Sequence, residues 1–492
     1  MVLRTLAQRV FTLDLRSLAL CRIWAGIVVI GDLLTRAWSF RIHYTDAGIL
    51  PRQALFELNI LRFPSLYAAS GWEPFLAGVF LLHGLAAVML ILGYRTRFTG
   101  PLVWYLTISL QTRLHMANNG GDTVLASVLF WGMFLPWGEA FSVDAKARQA
   151  AARCASTQTE PAPELDVYSA ATVILCLQAL LMYWISVLAK MEPIWLHGEV
   201  LYYAFQCDLY AYPTGQLLLP HTTLMKLLTY GTLAWEIVGP LLLLSTRPAL
   251  RATACLLFSI MHLSFGMFLR IGIFAFSPLL FAFALLPGLV WDHPRLPFRR
   301  VGALFQRLCE KVASKHPPGL RPPIRLSKPV SALLAVLYCH TLLTSLSEDP
   351  RIGRILPSSL DWIHQMTGLY QRWGVFVNMP SILDGWFVVE GRLSDGRDVD
   401  LFQGTDQVGW DKPPTPFTHY GSFRWPTPLV VITGDNRLHR WLVRALALDW
   451  ERRHPGQHVT FARLNLMREY TQPDFRDSAA ARSILWEGSL ER

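Results

Sequence analysis

Apolar runs of roughly 17 to 22 residues, each long enough to cross about 30 Å of hydrocarbon as a helix, recur along this chain and stop near residue 350. They fall near 15–35, 74–94, 98–115, 122–138, 168–190, 224–245, 250–269, 271–291 and 329–346. With 52% of its 492 residues apolar and 16% charged, the chain is too oily for a soluble enzyme of ordinary composition. The expected fold is a polytopic α-helical membrane protein of about nine spans over residues 1–347. Residues 348–492 then form an extracytoplasmic α+β domain.

Basic residues orient the spans, because Lys and Arg in short loops are retained on the cytoplasmic side. Arg4, Arg9 and Arg16 precede the first span, Arg95 and Arg97 follow the second, Lys146 and Arg148 the fourth, and Arg247 and Arg251 lie between the sixth and seventh. Nine basic residues from Arg295 to Lys328 stand against Asp292 and Glu310 before the last span. The N-terminus is therefore expected inside and the C-terminal domain outside, in the cytoplasmic membrane if the source is bacterial. The net charge of +10 reflects topology and gives no reason to expect nucleic-acid binding. "TRAWSF" after the first run offers no small-residue cleavage site, so that run is expected to stay as a span.

In the C-terminal region, "WFVVEGRLSDGRDVDLF" (386–402) reads as a hairpin turning at Ser394-Asp395-Gly396. "PLVVIT" (428–433) reads as a strand, "NRLHRWLVRALALDWERR" (436–453) as a helix and "HVTFARLNL" (458–466) as another strand. No CxxC or Cys/His spacing points to a metal site.

Ionisable residues inside spans are costly and face the bundle interior, which makes Arg22, Asp32, Glu236 and His262 functional candidates. Asp32 and Arg36, four apart, can form a structural ion pair on one helix face. Glu236 has no local partner and reads either as a helix–helix hydrogen-bonding group or as a proton-handling carboxylate. The stretch "TRLHMANNGGDTVL" gathers Arg113, His115, Asn118, Asn119 and Asp122 at membrane depth, with Asp122 placed to cap the next helix. "VLAKMEPIWLHGEVLYY" (187–203) ends a span with Lys190 and follows it at once with Glu192, Trp195 and His197. That lysine is either a snorkelling anchor or a base at the mouth of a buried site.

Four stretches together resemble the HTTM group, a family that includes vitamin K-dependent gamma-glutamyl carboxylases, in a bacterial form. They are "LAKMEPIWLHGEVLYY", "NNGGDTVLASVLFWGMFLPWGEAFSVD", "MHLSFGMFLRIGIFAFSPLLF" and "TGLYQRWGVF", in the family's order. The resemblance implies a membrane-embedded lyase that couples oxygenation of reduced vitamin K, or another quinol, by O2 to carboxylation by CO2 of Glu in an exported peptide or protein. The family's catalytic lysine carries over to Lys190. Asn118, Asn119, His115, Asp122, Trp195, His262 and Glu236 are the expected pocket residues, and no metal is expected. The family has a histidine directly after its Asn-Asn pair, where this chain has Gly120, so quinol oxygenation is better supported than carboxylation. The other readings are a non-carboxylating maturation or transport factor for an exported peptide and a structural membrane protein. A transporter would centre its charges on Asp32, Glu236 and His262 near mid-membrane.

Overall fold

The computed structural model describes residues 2–155, 165–315, 326–374, 383–413, 424–470 and 478–490. Arg321 and Arg325 of the basic loop, and the Val375-Phe376 end of "TGLYQRWGVF", lie outside the described residues. The N-terminal part is a helix bundle. A short amphipathic helix α1 (Val2–Phe11) leads into α2 (Leu15–Ala37), which Asp14 caps by accepting from the Arg16 amide. The bundle continues with α3 (Glu73–Leu92), α4 (Thr96–Arg113), α5 (Gly120–Gly132), α6 (Val143–Ala155), α7 (Ala170–Ala189), α8 (Thr222–Leu243), α9 (Pro248–Phe268), α10 (Phe298–Lys315) and α11 (Lys328–Leu346).

Among the described residues, five helices are long and apolar enough to cross a membrane: α2, α3, α7, α9 and α11. Large apolar side chains such as Leu85, Leu241, Ile260 and Val336 are exposed on α3, α8, α9 and α11, the reverse of a soluble surface, as a multi-pass membrane protein requires. The helix α4 is long but less apolar, the apolar run of α8 is interrupted by Lys226 and Glu236, and α5 stops after 13 residues.

The run at 271–291 is not one helix. It breaks into a 3-10 turn at Gly272–Ala275 and short helices at Leu279–Ala284 and Gly288–Asp292. Gly272 sits at φ +57°, and Pro278 and Pro287 each lack the amide that a continuing helix would donate. The broken pieces are packed inside the protein, where their backbone groups find other partners. Leu280 and Phe281 are buried against α2.

Beyond α11, four antiparallel strands pair in the order β2-β1-β3-β4: β1 (Leu383–Leu393), β2 (Asp398–Asp400), β3 (Val459–Tyr470) and β4 (Ala481–Ser489). The β1–β2 turn carries Gly396 at φ +86°. "PLVVIT", expected as a strand, lies instead in the helix α12 (Pro426–Gly434). A proline in the first turn suits a helix start, and a short apolar run carries no periodicity that separates helix from strand. The helix α13 (His439–Arg453) packs on β3, burying Leu442 and Trp450.

Candidate functional site

The helix α7 begins in a capping box of Ser169 and Thr172 and ends where Pro193 forces Glu192 into an extended conformation. Lys190 is therefore the C-cap residue. The side chain is buried, with the residue 5% exposed, which rules out snorkelling. Its ammonium bonds the Glu236 carboxylate from the middle of α8 and lies 4.7 Å from the centroid of the Trp195 ring. Glu236 thus finds its partner on another helix, 46 residues away in sequence.

Tyr183 and Ser186 share the face of α7 that carries Lys190. Tyr183 stacks on Phe258 at 4.2 Å between ring centroids, and its hydroxyl is 3.0 Å from His262 Nε2 on α9. His262 Nδ1 has no hydrogen-bond partner among the described residues. These groups converge on a narrow cavity of about 50 Å³ whose remaining wall is mostly apolar, including Phe265, Phe274 and Trp373. An apolar chamber with a few convergent polar side chains is the usual form of a small-molecule site.

Trp373 reaches the cavity from beyond α11 and is held there by a buried amide pair. Gln178 Nε2 donates to Gln371 Oε1 at 2.8 Å, and Gln371 Nε2 donates back to Gln178 Oε1 at 3.1 Å. The Trp131 indole closes one end on Gln178 and the Trp373 indole the other on Gln371. Substituting Gln371→Leu strands the Gln178 amide donors and the Trp373 indole N–H, an expected loss of about 1–3 kcal/mol. Thermal unfolding in detergent measures it, and Gln178→Leu/Gln371→Leu should recover part of the loss by removing both amides. Equal stability of Gln371→Leu and the native chain would show that the pair holds nothing.

Asn118, Asn119, His115 and Asp122 do not join the lysine cavity. They line a second, more polar one of about 600 Å³ together with Gly120, Arg62, His364 and Arg372. The Gly272–Ala275 turn stands between the two, packed so closely on α5 that a Cβ on Gly121 would come within 2.5 Å of the Phe274 nitrogen. The two asparagines are committed to scaffolding. Asn119 is the N-cap of α5, accepting from Gly121 N at 2.8 Å, while Asp122 sits at the third position and accepts from Asn119 N at 2.8 Å. The cap is thus Asn119, with Asp122 its capping-box partner. Asn118 accepts from Arg36 at 3.3 Å and donates to the Gln111 carbonyl at 2.9 Å.

Asp32 and Arg36 pair through the guanidinium Nε at 2.9 Å, within a larger closed ring of charges. Arg36 also bonds Asp122, and Arg424 bonds Asp122 at 2.8 Å and then returns to Asp32. All four side chains are at most 4% exposed, and the two acids and two bases sum to zero charge. Arg424 further donates to the Ala117 carbonyl at 2.9 Å, so the C-terminal region docks on the turn that starts α5. The other buried arginines serve the backbone. Arg22 donates to the Trp137 carbonyl at 2.8 Å, and Arg113 to the Leu50 carbonyl at 2.7 Å.

Sequence reasoning missed Tyr183, Gln178, Gln371, Trp373 and Arg424. Gln178 in an apolar span carried a signal, since a polar side chain there needs a partner. Arg424, in a segment of ordinary composition, carried none. No group of three or more His, Cys, Asp or Glu side chains suited to a metal is present among the described residues. A family model described as the HTTM domain matches residues 11–287, more than half of the chain, while no curated protein and no solved structure matches. Lys190, Glu236 and His262 fall inside the matched segment; Trp373 and Arg424 fall outside it.

Proposed function

The chain belongs to the HTTM-domain family, and from that premise we propose that it is a membrane enzyme of the vitamin K-dependent carboxylase-like kind, oxygenating a reduced quinone with O2 and carboxylating Glu in an exported peptide with CO2. The HTTM domain is found in vitamin K-dependent carboxylase-like proteins. The observation that carries the reading is Lys190: an amine buried at the edge of an apolar cavity, paired with Glu236 and faced by aromatic rings.

The reduced quinone supplies, on oxygenation, the base strong enough to take the γ-hydrogen of a glutamate, which no side chain can do. The protein's part is to take a proton from it. A buried ammonium–carboxylate pair carries two charges into surroundings that solvate neither well. Once the Lys190 proton has passed to Glu236 and Glu236 has released it, the Lys190 amine can accept the hydroxyl proton. Trp195 and Trp373 offer flat walls to a planar ring, and the unengaged Nδ1 of His262 offers a hydrogen bond to its polar end. The exposed apolar faces of α8 and α9 put lipid beside this cavity, which suits lateral entry of a lipid-soluble substrate.

In the same reading the N-terminus lies inside, the bundle crosses the cytoplasmic membrane several times, and residues 348–492 present the exported substrate outside. The carboxylation half has less support than the oxygenation half. Gly120 stands where the family has a histidine, and it lines the second cavity with Asn118 and Asn119. The test supplies purified protein with reduced vitamin K, O2, labelled bicarbonate and a Glu-containing peptide. Epoxide and labelled peptide are the expected products, and Lys190→Ala should cut both by about 10²- to 10⁴-fold, the usual worth of a general base. Epoxide without label would leave an oxygenase and remove carboxylation. Absence of any lysine-dependent turnover would favour a maturation or transport factor.

A further inference from the structure

We propose that α10 is an interfacial helix that binds the anionic phospholipid headgroups of the leaflet it faces, a role independent of the reaction at Lys190. One side of α10 is committed to the protein. Gly302 lies under the Phe141 ring, where a Cβ would come within 2.8 Å, and Cys309 is fully buried beside the Leu92 carbonyl. Phe298 and Phe305 pack with Ala19, Phe141 and Trp291.

A second apolar stripe on the same helix has no cover among the described residues: Val301 is 59% exposed, Leu304 70% and Leu308 46%. Their spacing, three and then four residues, puts them in one line along the helix. Arg300, Arg307 and Lys311, seven and then four apart, run as an exposed line directly beside it. Apolar stripe next to cationic stripe is the pattern of a helix lying in the plane of a bilayer surface, its leucines among acyl chains and its cations at the phosphates. The helix is held at a bundle end, as this requires. The segment entering it is tied to the start of α2 by the Arg16–Asp292 pair at 2.6 Å, and the amphipathic α1 with Arg4 and Arg9 precedes that start. Charge complementarity selects the occupant, since α10 offers these cations against one acid, Glu310, itself 4.0 Å from Lys146.

The experiment is hydrogen–deuterium exchange of the full chain in nanodiscs of phosphatidylcholine alone and of phosphatidylcholine with phosphatidylglycerol. Exchange across α10 should slow in the anionic discs, and raised ionic strength should abolish that slowing in the native chain. Arg300→Gln/Arg307→Gln/Lys311→Gln should lose the lipid dependence while α7 exchanges as before. A lipid dependence that survives both the salt and the triple substitution would overturn the proposal, as would equal exchange in both discs. Doubling of the protein mass per disc that Leu304→Asp reverses would overturn it too, because a second copy of the chain would then be what covers the stripe.

Discussion

Arg424→Met should destabilise the protein by about 3–5 kcal/mol, the usual cost of removing one partner from a fully buried ion network. In the native chain Asp32 and Asp122 share two guanidiniums; in the variant they share Arg36 alone, and an almost fully buried cluster acquires a net negative charge. The loss is electrostatic rather than one of volume, so it should be reversible by a second change. Arg424→Met/Asp32→Asn restores neutrality and should recover most of the stability. Arg424→Lys should recover only part, because a single ammonium cannot span both carboxylates and the Ala117 carbonyl as the fork of Arg424 does. Denaturant titration of the detergent-solubilised protein measures all three. If Arg424→Met unfolds at the native midpoint, or if Asp32→Asn adds a further loss, the ring is not what holds this junction.

That ring shows where sequence reading stops. Asp32 and Arg36 were legible as a pair because helical geometry alone brings residues four apart onto one face. Asp122 lies 86 residues from Arg36 and Arg424 lies 392 from Asp32, and nothing local announces a contact over such separations. The same distinction holds across the fold. The five apolar spans were readable because lipid solvent demands an unbroken apolar stretch of fixed length. The run at 271–291 met the composition test, yet its glycine and prolines broke it, since a segment packed inside the bundle can satisfy its backbone without being one helix. "PLVVIT" failed for want of length, its few apolar residues fitting either period. At the site, Lys190 and Trp195 stood out by sequence spacing, but their pairing with Glu236 and the separation of Asn118 and Asn119 into another cavity depend on how α8, α9 and the Gly272–Ala275 turn pack.

Lys190 itself admits a sharper test than loss of activity. Removing only the lysine, as Lys190→Met, leaves Glu236 buried without its partner and should cost about 3–5 kcal/mol, so lost turnover in that variant reports stability as much as chemistry. Removing both, as Lys190→Met/Glu236→Leu, replaces the pair by apolar groups of similar size. A buried ion pair exchanged for well-packed apolar residues is often neutral or stabilising, so the double variant should unfold close to the native midpoint. The two roles of the lysine then separate. As a helix-pairing cation alone, it is dispensable in the double variant, and quinol-dependent epoxide formation should persist there. As the base, it is indispensable, and the folded double variant should turn over about 10²- to 10⁴-fold more slowly than the native chain. Glu236→Gln completes the comparison, since it keeps the hydrogen bond to Lys190 but removes the group that receives its proton. Turnover slowed in Glu236→Gln while quinone still protects the chain against unfolding would place the carboxylate in the proton path, and native turnover in the stable double variant would take the catalytic role from Lys190 altogether.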